Sequence, residues 1–382
     1  MSTYLDYNAS SPIDGRVVDY MFDIYRNYIG NADSRTHDFG DNARGIVEDA
    51  RKGVAGLLDV PAEDVFFTSG ATESNNIVIQ GLKEYAEKTG KKHIVTTSIE
   101  HKAVLETAKH MQKMGFKVDF VSPDHSGRIS SDEVLSLVND DTVLVSVMHV
   151  NNETGIIQPV DIIGEELEQR DIYFHVDATQ SCGKLVDELK CLKYDMLSFS
   201  GHKMYGPQGI GVLILRRKNY KLPPVKPVMY GGQQEHGISP GTIPVALVGG
   251  LGKACELAGQ EYKIDEKHNR EIQDMLLGML DESGIKYQVN GDIAHSVAST
   301  LNIRIEGVSS EALMLSSKEY CGISNGSACT SSSYAPSYVL VAMGMSEEEI
   351  DQSIRLSWGR NTDNESLKAD FERLLDVAKG LV

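Results

Sequence analysis

The sequence is short of positive charge. Its 382 residues include 37 Lys and Arg against 55 Asp and Glu, which gives a formal net charge of −18 at pH 7. A nucleic-acid-binding surface needs clustered cations facing the phosphate backbone. We therefore expect no direct contact with nucleic acid.

Long hydrophobic runs are also missing. The most apolar stretches, such as "GIGVLIL", are far too short to span a bilayer. The first residues, "MSTYLDYNASSP", have neither the basic nor the apolar part of a secretory signal. These absences predict a cytoplasmic protein that does not contact membranes.

Cysteine is scarce, and one of the five residues has unusual neighbours. Cys182, Cys191, Cys255, Cys321 and Cys329 form no C-x-x-C pair and no His spacing of the zinc type, so neither a disulfide framework nor a metal site is expected. A free cysteine is ordinarily a small buried hydrophobe. Cys329, however, lies in "GSACTSSSYAPS", where little core can form around it. This setting favours a reactive thiol.

Short β-branched or apolar runs alternate with amphipathic ones over the first two thirds of the chain. The runs are "DVFFTSG", "KHIVTTSIEH", "FKVDFVSP", "TVLVSVMHV", "DIYFHVDA", "YDMLSFSG" and "GIGVLILRR". This alternation predicts an α/β fold with a mostly parallel sheet covered by helices on both faces. Polar residues gather where these strands end, which is where open α/β sheets bind ligands.

The pattern changes after about residue 257. A long charged helix, "EYKIDEKHNREIQDMLLGML", precedes a strand near "STLNIRIEG" and helical patterns in "SSEALMLSSKEY" and "SEEEIDQSIRLSW". We predict a large domain over residues 16–257. A smaller α+β domain is predicted from residues 1–15 and 258–382, and it carries the Cys329 segment.

Two strand ends carry residues suited to pyridoxal phosphate chemistry. Lys203 follows the strand in "SFSGHKMYGPQGIGVL", and Asp177 ends the strand in "FHVDATQSCG". Alone, each is ordinarily a surface residue or a helix cap. A desolvated lysine, however, can form a Schiff base with an aldehyde cofactor, and a carboxylate against the pyridine nitrogen maintains its electron-withdrawing form. No G-x-G-x-x-G dinucleotide motif follows a strand.

Three further motifs suit the same cofactor. In "FFTSGATESNN" a helix opens at Ala71 and Thr72, and this is either a plain capping box or a phosphate site at the helix N-terminus. His101 in "SIEHKAV" can stack on a flat ring, and Asn152 in "HVNNETG" can bond a ring hydroxyl. Neither residue type is distinctive by itself.

Taken together, the motifs resemble the cysteine desulfurases of the nitrogen-fixation and iron–sulfur-cluster type, in the class V aminotransferase group of pyridoxal phosphate enzymes. The matching stretches are "YLDYNASSP", "GNADSRTHDFG", "SGATESNN", "EHKAVLET", "HVNNETGIIQP", "HVDATQSCGKL", "SFSGHKMYGPQGIGVL", "GSACTSSSYAPSYVL" and "IRLSWGRNT". The resemblance implies a pyridoxal phosphate transferase of fold type I. That fold has a mostly parallel seven-stranded sheet in the large domain and a smaller α+β domain.

The resemblance also implies roles for individual residues. The implied catalytic residues are Lys203 as the Schiff-base lysine, His101 as the ring-stacking acid–base group and Cys329 as the sulfur acceptor. The implied cofactor-binding residues are Ala71, Thr72, His101, Asn152, Asp177, Gln180, Ser200, His202, Lys203 and Thr242. Arg355 and Asn152 are the implied substrate-binding residues, with Arg355 binding the substrate carboxylate. Thr242 matches a threonine that reaches the phosphate of the other subunit, which implies a homodimer.

The implied reaction converts L-cysteine to L-alanine through a ketimine of pyridoxal phosphate. Cys329 receives the sulfur as a persulfide and passes it to an acceptor protein. Iron–sulfur cluster assembly, tRNA thiolation and DNA phosphorothioation all remain open as pathways. The alternatives are a selenocysteine lyase or another class V aminotransferase-type enzyme, which would not need Cys329, and a catalytically idle binding subunit.

One stretch departs from the family pattern. In "GGQQEHGISPGT", His236 and Ser239 stand where the family has arginines, and Pro240 stands where it has serine. Since the threonine is retained, we expect this difference to affect the choice of partner and not the chemistry.

Overall fold

A computed structural model describes residues 2–326 and 336–382 of the chain. The described strands are β1 (Thr3–Tyr4), β2 (Val65–Thr68), β3 (His93–Thr97), β4 (Lys117–Val121), β5 (Thr142–Met148), β6 (Tyr173–Asp177), β7 (Met196–Ser200), β8 (Gly211–Leu215), β9 (Tyr287–Val289), β10 (Thr300–Ile305), β11 (Cys321–Gly322) and β12 (Ser353–Ser357). The described helices are α1 (Gly15–Asn27), α2 (Asp38–Leu58), α3 (Ala71–Gly81), α4 (Lys83–Thr89), α5 (Lys102–Lys113), α6 (Ser131–Leu137), α7 (Val160–Leu167), α8 (Val186–Cys191), α9 (Val245–Ser283), α10 (Ser310–Ser317), α11 (Tyr338–Ala342), α12 (Glu347–Asp351) and α13 (Asn364–Leu381). None of these helices combines the length and the hydropathy needed to cross a bilayer.

The main sheet has seven strands in the order β2-β8-β7-β6-β5-β3-β4. In the part of the sheet formed by β7, β6, β5, β3 and β4, neighbouring strands pair in parallel. Strand β8 runs antiparallel to both of its neighbours, β2 and β7. Every residue of β3, β5 and β8 is buried. Burial along the whole length of a strand is typical of sheets covered on both faces. The predicted sheet, mostly parallel and seven-stranded, is confirmed.

Helices cover both faces of this sheet. Consecutive side chains of a strand point to opposite faces. Ile94 and Val95 of β3 therefore belong to different hydrophobic clusters, one on each face of the sheet. Ile94 packs with residues of α3 and α5, and Val95 packs with residues of α2 and of the first part of α9. The sheet is therefore a rigid middle layer, and its carboxyl edge remains available for a site.

A second core lies beside the sheet. The antiparallel sheet β12-β10-β9 packs with α13 and the second half of α9. Leu5 belongs to this core, and β1 pairs in parallel with β11. The first residues thus join the later part of the chain, as the predicted division requires. Residue 257 lies inside α9, so this helix connects the two cores, and the boundaries stay a prediction.

The prediction of a helix through "SEEEIDQSIRLSW" is wrong for its second half. A capping box between Ser346 and Glu349 starts α12, but this helix ends at Asp351. The next residues form β12, in which Ile354 and Leu356 point into the second core with a period of two. Arg355 pairs with Asn302 of β10 and so lies in the middle of a strand. Pairing with a distant strand outweighs the local helix signal.

Candidate active site

The carboxyl edge of the main sheet opens onto a cavity of about 440 Å³. It is lined by residues that follow or end β2, β3, β5, β6 and β7, and by Arg355 of β12. The predicted site residues among its lining are Ala71, Thr72, His101, Asn152, Asp177, Gln180, Ser200, His202, Lys203 and Arg355. Residues far apart in sequence therefore share one cavity, because parallel strands end at the same edge.

Lys203 lies in a short 3-10 turn, Gly201–Lys203, directly after β7. Its Nζ donates to the backbone carbonyl oxygens of Asn8 and Ala9, the latter at 2.7 Å. Gln180 Nε2 donates to the Asn8 carbonyl as well, at 3.0 Å. The N-terminal segment thus holds the amine at the cavity, a contact that the local motif around Lys203 did not predict.

Asp177 is the last residue of β6 and is buried. Its Oδ2 accepts a hydrogen bond of 2.7 Å from Asn75 Nδ2, and its Oδ1 accepts one of 3.0 Å from the Thr179 backbone N–H. Asn75 is fully buried in α3, and sequence analysis missed its role. The signal in the sequence that could have indicated this role is an amide side chain directly before the apolar residues of "NNIVIQ". Two donors on the two oxygens fix the orientation of the carboxylate.

Both histidines of the cavity have a lowered pKa, which favours the neutral ring. Burial lowers the pKa of His101, and burial together with the positive charge of Lys203 lowers the pKa of His202 to about 4. His101 Nδ1 accepts the Ala103 backbone N–H at 3.1 Å, so the proton of the neutral ring lies on Nε2. His101 therefore has one N–H donor available for proton transfer.

The N-terminus of α3 is suited to an anion. The helix begins at Ala71, and the residue before it, Gly70, has a φ of 155° and supplies no side-chain cap. The first backbone N–H groups of a helix have no acceptor inside the helix. Glu73 Oε2 accepts from the Ser69 backbone N–H at 2.6 Å, but Ser69 precedes the N-cap residue Gly70, so this contact is not a capping box. The helix end is therefore available to a phosphate.

Three buried polar atoms of the lining residues have no partner among the residues that the structure describes. They are Asn152 Oδ1, Thr179 Oγ1 and Arg355 Nε. Arg355 is 1% exposed, and its other nitrogens bond Asp6 Oδ1 at 2.6 Å and the Asn152 carbonyl at 2.9 Å. An unsatisfied buried polar atom costs about 1–3 kcal/mol. These atoms therefore indicate a polar ligand. Asp6 was also missed from the sequence.

Two predicted residues are not among the described residues that line this cavity. Thr242 is exposed and does not line the cavity of its own chain. Cys329 lies in residues 327–335, outside the described residues. The predictions for both residues stay predictions.

Comparison with known proteins agrees with this geometry. The model of the family "Aminotransferase class-V" matches residues 3–369. The chain belongs to the class-V aminotransferase family. Among curated members, "Cysteine desulfurase IscS" of Escherichia coli O139:H28 is 42% identical over 371 residues, which are 97% of this chain and 91% of the relative.

Solved structures of class-V aminotransferase relatives have the same fold. A NifS-like protein aligns over 100% of both chains with a TM-score of 0.91 and 34% identity. A structure described as "SspA in complex with cysteine" aligns over 93% of this chain and 98% of its own, with a TM-score of 0.81 and 34% identity. The predicted pyridoxal phosphate fold type I is thereby confirmed.

The class-V family uses pyridoxal phosphate, and the cavity fits this cofactor. The uncapped N-terminus of α3 suits the phosphate, and the buried Asp177 carboxylate suits the pyridine nitrogen. Asn152 Oδ1 receives no hydrogen bond from the described part of the chain and can accept one from a ring hydroxyl. Lys203 supplies an amine for the aldehyde.

Proposed function

We propose that this chain is a cysteine desulfurase that moves the sulfur of L-cysteine to Cys329 and releases L-alanine. The observation that carries the proposal is the buried Arg355, which lines the same cavity as Lys203 and Asp177 and whose Nε has no partner in residues 2–326 and 336–382. A guanidinium suits the carboxylate of a free amino acid. The IscS relative and the relative solved with cysteine favour cysteine as that amino acid.

The cofactor would be held by residues from several strand ends. We assign the phosphate to the backbone at Ala71 and to the side chains of Thr72, Ser200 and His202. The ring hydroxyl is assigned to Asn152 and Gln180. Asp177 would pair with the pyridine nitrogen, and Lys203 would attach the aldehyde. When bound, pyridoxal phosphate withdraws electrons from the Cα of the amino acid.

Three residues act on the substrate, one by binding it and two by transferring protons. Arg355 binds the carboxylate and so orients Cα toward Lys203. The amine of Lys203 would take the Cα proton. His101, with its proton on Nε2, would act as an acid–base group beside the bound cofactor.

The sulfur transfer step uses Cys329 as the nucleophile. Its thiolate attacks the substrate sulfur, so that a sulfur–sulfur bond forms and the carbon–sulfur bond breaks. The electron pair of the broken bond stays with the substrate carbon, which takes up a proton and becomes the methyl group of alanine. The protein retains a persulfide, which a thiol of an acceptor protein can attack in turn.

The proposal is tested by comparing the amount of L-alanine formed with the amount of sulfur transferred. Purified protein loaded with pyridoxal phosphate and given L-cysteine should form L-alanine in amounts equal to the sulfur transferred. Alanine is measured by chromatography and sulfur by release with a thiol reductant. If L-cysteine gives no alanine while L-selenocysteine or another amino acid is converted, the chain is the alternative lyase or transaminase.

Replacing Asn75 with alanine is expected to weaken pyridoxal phosphate binding. The substitution removes the donor on Asp177 Oδ2, and a hydrogen bond to a charged group contributes about 1.5–3 kcal/mol. This corresponds to an increase in cofactor Kd of about tenfold or more. The Kd is measured by absorbance titration of the apo protein.

The matched control for Asn75 is Gln80→Ala, on the same helix. The Gln80 amide bonds Asn76 Oδ1 and does not line the cavity. We expect its cofactor Kd to equal that of the unchanged protein. Equal shifts in the two variants would show that Asn75 acts only through the stability of α3.

We also propose that the protein works as a homodimer in which Thr242 reaches the cavity of the other subunit. The support is an exposed apolar patch, which we call the α1 patch. It consists of Phe22, Tyr25, Tyr28, Ile29 and Phe39, with exposed fractions from 38% to 78%. Contiguous apolar surface of this kind marks protein interfaces. A second copy would bury it and bring in an exposed Thr242.

Placing two aspartates in the α1 patch is expected to break the dimer. The F22D/Y25D variant should sediment as a monomer, because burying two carboxylates without partners is costly. Its cofactor Kd should also rise, since Thr242 of the other subunit would be lost. M114D changes an exposed apolar residue outside the patch and should leave the dimer intact. A dimeric F22D/Y25D protein, or a monomer with unchanged cofactor Kd, would contradict the proposal.

A further inference from the structure

Asp6 is the acid that pairs with the buried guanidinium of Arg355. Its Oδ1 accepts a hydrogen bond of 2.6 Å from Arg355 Nη2. The side chain of Arg355 is 1% exposed, and that of Asp6 is 20% exposed. A buried charge without an opposite charge beside it is costly, so Arg355 needs such a partner. Among the described residues, no other acid forms an ion pair with Arg355.

Glu153 is a second acid near Arg355, but its carboxylate is bound elsewhere. Its Oε2 accepts a hydrogen bond from Ser337 Oγ. Burial raises the pKa of Glu153, and this effect exceeds the lowering by the Ser337 hydrogen bond and by the charge of Arg355. Burial thus favours the neutral form of Glu153, which leaves Asp6 as the charge that compensates the guanidinium.

The backbone around Asp6 is fixed to the end of β12. Asp6 forms a parallel bridge with Ser357, the last residue of that strand. The Ser357 backbone N–H donates to the Leu5 carbonyl at 2.9 Å, and the Asn8 N–H donates to Ser357 Oγ at 2.9 Å. Ser357 and Arg355 are two residues apart, so their side chains lie on the same face of β12. The carboxylate of Asp6 therefore reaches Arg355 from the adjacent segment.

The segment around Asp6 also contacts the other end of the site. Lys203 Nζ donates to the carbonyl of Asn8. Asn8 Nδ2 donates to the Asn152 carbonyl at 3.2 Å, and Arg355 Nη1 donates to the same carbonyl at 2.9 Å. One short segment therefore relates the position of the guanidinium to that of the lysine amine.

The guanidinium of Arg355 retains donors for a ligand. It is a planar group with five N–H donors in a fixed geometry. Asp6 accepts from Nη2 and the Asn152 carbonyl accepts from Nη1, whereas the buried Nε has no partner within residues 2–326 and 336–382. A planar group bound through two of its nitrogens cannot rotate. Because Arg355 lines the cavity, its remaining donors are presented to a carboxylate in one orientation.

We infer that Asp6 is a positioning residue that orients Arg355 for the carboxylate of the amino-acid substrate. This role rests on the proposed function, which assigns the carboxylate to Arg355. An arginine side chain has many rotamers, and fixing it before the substrate arrives lowers the entropy lost on binding. Asp6 touches neither substrate nor cofactor in this role and acts through Arg355. Its own negative charge repels a carboxylate, so the gain from orientation must exceed that repulsion.

Two substitutions of Asp6 separate orientation from charge. Asp6→Asn retains an oxygen that accepts from Arg355 Nη2 but removes the negative charge, whereas Asp6→Ala removes both. Asp6→Ala should raise KM for L-cysteine about tenfold, as expected for a lost hydrogen bond between charged groups. Asp6→Asn should change KM by less than about threefold, because the orientation is retained. In both variants kcat should stay within about threefold, since the substrate and the transition state bind Arg355 alike.

Ligands with and without a carboxylate supply a readout that a loss of stability would not change. L-Alanine and ethylamine differ only in the carboxylate, and their binding to the holoenzyme is followed by the absorbance of the cofactor. Asp6→Ala should weaken L-alanine binding about tenfold and leave ethylamine binding and the cofactor Kd unchanged. In an Arg355→Ala protein the same substitution should cause no further loss, because the effect passes through Arg355.

Asp265 supplies the matched control. Its Oδ2 accepts from Arg360 Nη2 at 2.6 Å, and neither of these described residues lines the cavity. Asp265→Ala should leave KM for L-cysteine and the Kd of L-alanine unchanged. An Asp6→Ala protein that binds L-alanine as tightly as the unchanged protein, or equal losses in Asp6→Asn and Asp6→Ala, would overturn the role of Asp6. If the unchanged protein binds L-alanine no more tightly than ethylamine, the proposed function of Arg355 is wrong, and the role of Asp6 fails with it.

Discussion

Replacement of Lys203 with alanine is expected to lower L-cysteine turnover by about a thousandfold or more. Lys203 ends the β7 turn and has its amine fixed by the carbonyls of Asn8 and Ala9. In our account the same amine attaches the cofactor and moves the Cα proton, so its loss removes both functions. Turnover is measured as alanine formed, and attachment as the visible absorbance of the cofactor.

The matched control for Lys203 is Lys184, a second lysine close by. Burial, with a smaller contribution from the charge of Lys203, lowers the pKa of Lys184 to about 8. Its Nζ lies 3.4 Å from Gln180 Oε1, but the residue does not line the cavity. Lys184→Ala should therefore change turnover by less than about tenfold. If Lys203→Ala retains turnover and Lys184→Ala loses it, the assignment of the cofactor lysine is wrong.

Replacement of Cys329 with alanine is expected to lower alanine and sulfide formation by about a hundredfold or more while leaving cofactor binding intact. The lining residues that the structure describes are all retained in this variant, so addition of L-cysteine should still change the cofactor absorbance. Without a nucleophile for the sulfur, the carbon–sulfur bond should not break. Full retention of alanine and sulfide formation would exclude the desulfurase mechanism and favour a lyase.

Cys321 is the control for Cys329. It is buried in β11, and burial raises the pKa of its thiol to about 12. Such a thiol stays protonated at neutral pH and is a poor nucleophile. Cys321→Ala should keep turnover within about twofold of the unchanged protein once equal amounts of folded protein are compared.

The large sheet and the location of its site were predictable because both follow from local patterns. Each strand of the sheet is a short apolar run, and polar residues such as Asp177 and Lys203 come directly where a run ends. Parallel strands bring such ends to one edge. The order of the residues along the chain was thus enough to place them together.

The strand β12 was missed because its local signals favour a helix. Glu347 to Asp351 do form one, and the alternation of Ile354 and Leu356 is too short to stand out beside it. The strand exists because β10 pairs with it along its length. A contact with a strand some fifty residues earlier is not visible in the segment itself.

The partners of the site residues were missed for a similar reason. Asn75 bonds Asp177 across 102 positions, and Asp6 bonds Arg355 across 349. The motifs that contain these residues indicate that they belong to the site, but only the fold decides which atoms meet.

Transfer of the sulfur of L-cysteine to Cys329 is tested by mapping a labelled persulfide. The holoenzyme is given L-cysteine labelled at sulfur, its thiols and persulfides are alkylated, and its peptides are analysed by mass spectrometry. We expect the label on the peptide containing Cys329, in an amount that matches the alanine formed, and we expect a thiol reductant to remove it. Label on Cys182, Cys191, Cys255 or Cys321 instead, or alanine without any labelled peptide, would exclude Cys329 as the sulfur acceptor.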